Sequence, residues 1–241
     1  MTSIDLPPVV SVRDLRFRYR RDLPLVLDGT SVDVPRGARC LVVGANGAGK
    51  TTLLRVIGGK HMVPTDAVRV LGRAAFDDTS LAADVEYLGG GFPFEVDIRV
   101  GDLVAQIPAP LADRRDRLIR LLGVDVEWHM HRVSDGQRRR VQLLLGLVRP
   151  RKLLLLDEVT TDLDLLARQD LLDFLREESE TSGVTILYAT HILDRLEDWA
   201  THLCTMRRGQ VTAMEPLLDP GPLYPRILAW LREASDIVVR S

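Results

Sequence analysis

The segment Gly44-Ala45-Asn46-Gly47-Ala48-Gly49-Lys50-Thr51-Thr52 fills the pattern G-x-x-x-x-G-K-[ST] between an apolar strand, Leu41-Val42-Val43, and an amphipathic helix that begins near Thr51. A strand-to-helix turn of this kind leaves a chain few folding options. Its glycines let backbone N–H groups converge at close range, and the next helix presents the positive end of its dipole to the same point. A phosphate group is the expected occupant, with Lys50 reaching β- and γ-phosphates and Thr51 a Mg²⁺ ion. A glycine-rich turn that binds nothing would be spelled the same way. The strand before it and the helix after it argue for the cradle.

The run Leu153-Leu154-Leu155-Leu156 is too short for a helix and reads as a strand buried on both faces, which delivers Asp157 and Glu158 to its C-terminal end. Open α/β sheets bind ligands at the C-terminal ends of their strands. Asp157 is therefore the expected metal carboxylate, and Glu158 the base that polarises an attacking water.

Around these anchors the chain alternates strands and helices. Val9 to Tyr19 and Leu25 to Val34 read as an antiparallel β layer joined by a turn at Arg20 to Pro24, and Val68 to Leu71 and Val85 to Leu88 as short strands. Gly89-Gly90-Gly91 ends the last of these. Val100 to Gln106 and Leu111 to Leu122 read as helices split by Pro108-Ala109-Pro110, and Gln137 to Val148 as a further helix, so that a helical lobe separates two strand-rich regions. A helix from about Leu165 to Glu180 then connects to the buried strand Thr185 to Ala189 as a βαβ crossover.

Composition sets the outer limits. With 46% hydrophobic and 27% charged residues in 241, the chain is of the ordinary globular class, and a formal charge of −2 argues against a broad polyanion-binding surface. Direct nucleic-acid binding is not expected. No basic-then-apolar leader opens the sequence and no stretch approaches the apolar length of a membrane span. Cys40 and Cys204 are isolated, match no metal spacing and read as small core residues of a protein in a reducing, cytoplasmic compartment. His129 and His131 flank Met130 and suggest a metal pair, but no Cys, Asp or Glu completes a coordination set, so they read as solvated or packed.

Val133-Ser134-Asp135-Gly136-Gln137 precedes a helix and stands at a fixed remove upstream of Asp157. Here the chain resembles the ATP-binding-cassette ATPases, whose signature L-S-G-G-Q is kept at Ser134, Gly136 and Gln137 and altered to Val133 and Asp135. A Ser-capped helix start is the plain reading of the same letters. The resemblance implies a P-loop (RecA-like) α/β core with an antiparallel β layer and an α-helical signature lobe, as one domain over 9–233, the lobe at about 92–150 and a tail at 234–241. It implies that Ser134, Gly136 and Gln137 act on nucleotide bound to the opposite subunit of a head-to-tail, ATP-sandwiched homodimer. It further implies that His191, after Thr190, touches the γ-phosphate, that Asp164 belongs to a subunit-crossing loop, and that Tyr19 stacks on adenine, although Phe17 and Tyr19 also suit a core. The cofactors implied are ATP and Mg²⁺, with Glu158, His191 and Lys50 as the catalytic set.

Two departures from transporter cassettes stand out. Gly90 occupies the position of their metal-contacting glutamine, with Gln106 too far downstream to replace it, and Val159 replaces the proline that comes after the glutamate. The wording Asp157 to Asp164, Ser134 to Gln142 and Tyr188 to Asp194 resembles a soluble branch that holds the yeast cassette ATPase associated with the carbon-catabolite-repression complex and plant subfamily I homologues. A soluble ATPase with a soluble protein partner is the expected reading. An ATPase subunit of a transporter with separate membrane chains, and a nucleotide-gated scaffold without turnover, stay open as rivals. Arg138-Arg139-Arg140 is expected as a solvated or interface helix face, and Phe92-Pro93-Phe94 as lobe packing or a docking surface for the partner.

Overall fold

A computed structural model describes residues 7–91, 97–193, 196–217 and 223–239. Phe92-Pro93-Phe94 lies outside the described residues. The chain runs β1 (Val10–Phe17), β2 (Leu27–Val34), β3 (Arg39–Val43), α1 (Lys50–Ile57), β4 (Val68–Val70), β5 (Arg73–Ala74), β6 (Val85–Gly89) and α2 (Val100–Ala105). It continues with α3 (Ala112–Leu122), α4 (Asp135–Leu147), β7 (Leu153–Asp157), α5 (Leu165–Ser182), β8 (Thr185–Ala189), β9 (His202–Arg207), β10 (Gln210–Pro216) and α6 (Leu223–Val239).

Two sheets result. One is antiparallel in the order β2-β1-β4-β5, and the other runs β10-β9-β3-β8-β7-β6, parallel throughout except for the β9–β10 hairpin. The central strands of the larger sheet are buried on both faces because they are apolar at nearly every position, so the period-two alternation of side chains feeds two cores at once. Leu154 and Leu156 pack with Leu41, Ile186 and Tyr188 against the helical side. Leu153 and Leu155 pack with Cys40, Val42 and Leu187 against α1 and the antiparallel layer. Each of these four leucines is at most 3% exposed, and burial of such a side chain contributes roughly 1.5–3 kcal/mol.

The strand order also gathers the ligand-bearing ends. β8 lies between β3 and β7, so the segment leaving β8 emerges between the loop after β3 and the acids that end β7. Helices α2, α3 and α4 come between β6 and β7 in the chain, and α4 packs on β6 and α3. The hairpin β9–β10 and α6 were not expected from sequence. β9 is apolar only in part, and its place is set by pairing with β3 far upstream, Cys204 opposite Val42.

Candidate functional site

The glycine-rich loop spans the gap between β3 and α1. Gly49 stands at the helix start with φ of 103°, a left-handed conformation that costs a residue with a Cβ and not glycine. No side chain caps α1, so its first-turn N–H groups keep their capacity for an outside acceptor. Asn46 to Thr52, Val26 and Glu158 line a cleft of about 370 Å³ over the loop. Lys50 Nζ arches across it, donating to the carbonyls of Gly44 at 2.7 Å and Ala45 at 3.3 Å. Burial pulls the Lys50 ammonium below its ordinary pKa, while Glu158 and Asp157 hold it up in part.

Thr51 Oγ donates to Asp157 Oδ1 at 3.1 Å, and the other oxygen, Oδ2, accepts from the Tyr87 hydroxyl at 2.9 Å. Arg55 in turn donates to Tyr87 at 3.3 Å, and burial raises the Tyr87 phenol so that it stays a donor. Glu158 adopts φ of 53°, a left-handed conformation rare for a residue with a Cβ, and its N–H donates to the Ala189 carbonyl at the end of β8. Its carboxylate meets His191: Oε2 lies 3.0 Å from the ring Nδ1 and 3.4 Å from the His191 backbone nitrogen. Lys50, Thr51, Asp157, Glu158 and His191 are thus brought together, with oxygen donors converging at Thr51 and Asp157 that suit a hard divalent cation.

Tyr19 stands just past β1, 45% exposed, with its hydroxyl 3.0 Å from Thr52 Oγ, whereas Phe17 is buried. The ring of His61 packs at 5.1 Å from Phe17 and 5.3 Å from Tyr19, completing an aromatic cluster beside the loop. His61, Tyr87 and Arg55 escaped the sequence reading. Arg55 and His61 lie close behind the loop in sequence, but their role depends on Tyr87 and on Phe17 and Tyr19, which are distant in the chain, and a tyrosine within a short strand carries no signal about the residues across the sheet.

The remaining expected residues form a second group that lines no part of the cleft. Ser134 caps α4 in a reciprocal box: its Oγ accepts from the Gln137 N–H at 3.2 Å and its N–H donates to Gln137 Oε1 at 2.9 Å. This cap starts the helix at Asp135, two residues before the expected Gln137. Gly136 faces the Asp162 carbonyl so closely that a Cβ would lie 2.7 Å from it. Asp164 caps α5 by accepting from the Ala167 N–H at 3.0 Å.

One expectation is narrowed here and one corrected. Of the two readings of the arginine run, a solvated or an interface face, the solvated one does not fit two of its members: Arg140 pairs with Asp164 and donates to the Leu122 carbonyl, and Arg139 donates to the Gly90 carbonyl at 3.1 Å and stands 3.6 Å from Asp162. It ties α4 to the loop before α5 and to the glycine segment after β6. His129 and His131 do have a carboxylate partner, Asp97, which approaches them across a backbone bridge that no sequence pattern announces. Cys40 and Cys204 are buried free thiols, and the Cys204 contact and burial push Cys40 well above its ordinary pKa.

Comparison with known proteins places this geometry. Residues 27–161 match the family described as ABC transporter. Over 253 aligned residues the chain is 45% identical to ABC transporter I family member 20 of Arabidopsis thaliana, covering 94% of this chain and 77% of that protein. It is 40% identical to CCR4-associated factor 16 of Saccharomyces cerevisiae, over 84% of this chain and 76% of that protein. Among solved structures, the ATP-binding subunit of an ABC transporter superposes with a TM-score of 0.79 at 24% identity, over 93% of this chain and 99% of that one. A dimeric ATP-binding cassette in a post-hydrolysis state, bound to ADP and Pi, does so at 0.71 and 17%, over 87% and 99%. The fold is the α/β cassette with a P-loop core that the resemblance implied, and the chain belongs to the ABC transporter family, whose ATP-binding cassettes are generally ATP hydrolases.

Proposed function

We propose that this chain is an ATP hydrolase that works as a head-to-tail homodimer, with one nucleotide held between the loop of each copy and the α4 start of the other. The observation that carries the reading is the contact of Glu158 with His191 at 3.0 Å, beside the Thr51–Asp157 pair at the mouth of the loop cleft. Thr51 and Asp157 would hold Mg²⁺, which when bound neutralises charge on the phosphates. Lys50 leaves the Gly44 and Ala45 carbonyls to meet the β- and γ-phosphates, and backbone N–H groups between Asn46 and Thr52 take the remaining oxygens, apart from that of Ala48, which donates to the Ala45 carbonyl at 3.1 Å. Tyr19 offers its exposed ring to adenine.

Glu158 takes a proton from the attacking water while His191 fixes the carboxylate and contacts the γ-phosphate, so that oxygen adds to phosphorus as the bond to ADP breaks. Ser134, Gly136, Gln137 and Asp164 of one copy would close over the nucleotide of the other. The cassette is proposed to span 9–233, with the helical part at about 92–150 as its signature lobe and 234–241 as a tail. No helix among the described residues is long and apolar enough to cross a membrane. Similarity to CCR4-associated factor 16 and the glycine at Gly90 support a soluble, cytoplasmic role with a soluble protein partner, and the formal charge of −2 supports a role without direct nucleic-acid contact. A second reading, the ATPase subunit of a transporter, is favoured by relatives such as a methionine import ATP-binding protein of Mannheimia succiniciproducens at 29% identity. Recovery of the tagged protein only with detergent would favour that reading.

The test is Glu158→Gln in a steady-state assay of ATP turnover. The variant should bind ATP with near wild-type affinity and lose about 10²–10⁴-fold in rate. Turnover indistinguishable from wild type would remove Glu158 from the role of base.

A further inference from the structure

Outside the nucleotide cleft, the backbone of 97–100 runs antiparallel to that of 128–131. The Val100 N–H donates to the Trp128 carbonyl at 2.8 Å, the Met130 N–H to the Ile98 carbonyl at 2.9 Å, and Arg99 bridges His129. Extended chain alternates its faces. Met130 therefore points into the core, fully buried, while His129 and His131 share the outer face. Their rings sit 5.8 Å apart, and both Nδ1 atoms converge on one oxygen of Asp97, at 2.6 Å for His129 and 2.9 Å for His131. One ligand atom from each of the three residues lies within 4.8 Å of the others.

We propose that Asp97, His129 and His131 form a binding site for a borderline divalent transition metal ion of the zinc class, with water completing the coordination. Two imidazole nitrogens and one carboxylate oxygen are the donors such an ion selects over magnesium or calcium, which take oxygen sets. The ion would sit where the two Nδ1 atoms now face the Asp97 oxygen. It would join the segment that enters α2 to the segment that ends, three residues after His131, at the Ser134 cap. One neighbour opposes it: Arg132 Nε donates to His131 Nε2 at 2.9 Å. A metal-bound imidazole carries its remaining proton on the other nitrogen, where an arginine offers no acceptor. Arg132 is exposed and has room to swing away.

The test uses the full-length chain freed of metal by chelator. Zn²⁺ is titrated calorimetrically at neutral pH, and the histidine ring resonances are followed by NMR during the same titration. Binding of one ion per chain, with the His129 and His131 rings shifted and those of His61, His191 and His202 unmoved, is the expected result. Asp97→Asn and His131→Gln should each weaken it at least tenfold, Arg132→Ser should tighten it several-fold, and Asp157→Asn should leave it unchanged. The absence of stoichiometric binding by wild type would overturn the proposal, as would shifts confined to His191, or binding abolished by Asp157→Asn. The ring resonances of the wild-type protein decide the matter even if a variant fails to fold.

Discussion

Glu158 is the residue at which local preference and site geometry conflict. A left-handed conformation in a side chain with a Cβ costs on the order of 1–3 kcal/mol, and here the N–H to Ala189 and the carboxylate to His191 hold it in place. The strain turns the chain sharply after Asp157, so that two consecutive acids leave β7 in different directions, one toward Thr51 and one toward His191. Tyr87 plays the complementary part for Asp157, since it fills the oxygen that Thr51 does not. A hydrogen bond from a half-buried phenol to a carboxylate contributes about 1–2 kcal/mol. Tyr87→Phe should therefore lower stability by that amount, read as a shift in the urea midpoint with the slope unchanged. It should also raise the magnesium concentration needed for half-maximal ATP turnover. A variant with wild-type midpoint and magnesium dependence would show that Asp157 holds its orientation without the tyrosine.

Among elements, the join of β5, β6 and β7 depends on one carboxylate. Asp84, just before β6, pairs with Arg73 of β5 and lies 3.0 Å from Lys152 Nζ before β7, while its backbone carbonyl accepts from the N–H groups of Lys152 and Leu153. The hydrogen bonds from Arg73 and then Lys152 hold the Asp84 carboxyl below its ordinary value. A carboxyl whose folded pKa is depressed adds stability above its unfolded value of about 3.9, and loses it as the pH falls through the folded value. Asp84→Asn should thus cost about 1 kcal/mol at pH 7, since partly solvated pairs contribute little more. The gap to wild type should close as the pH drops below that unfolded value and through the folded one. Urea titrations at neutral and acid pH measure this, and an undiminished gap at low pH would place the effect in packing. Helix α4 is secured in the same manner at its first turns, by Arg139 and Arg140 acting on Gly90, Asp162 and Asp164. That network couples the glycine segment after β6 to the helix start that is proposed to face the second copy.

At the scale of the whole molecule, the cleft over the loop and the α4 start are separate groups on one chain, which is why the proposed site needs a second copy. Ser134→Arg should abolish ATP-dependent dimerisation of a Glu158→Gln background, followed by size-exclusion chromatography with light scattering, while leaving the monomer folded by circular dichroism. A dimer that persists would refute the assignment of Ser134 to the trans site. The glycine-rich turn, the acids after four leucines, the Ser134 cap and most strands were legible in the residues alone. Each of these is written in consecutive residues, where glycine placement, apolar runs and capping chemistry act over a few positions. The sequence left open whether Tyr19 stacks or packs and whether the arginine run is solvated or an interface, missed the carboxylate beside the histidine pair, and was silent on β9, β10, His61 and Tyr87. Those features depend on partners distant in the chain, such as Asp164 for Arg140, Asp97 for His129 and the β3 strand for β9. The order of the open sheet, which sets β8 between β3 and β7, and the pairing that lays 97–100 beside 128–131 bring these distant side chains together.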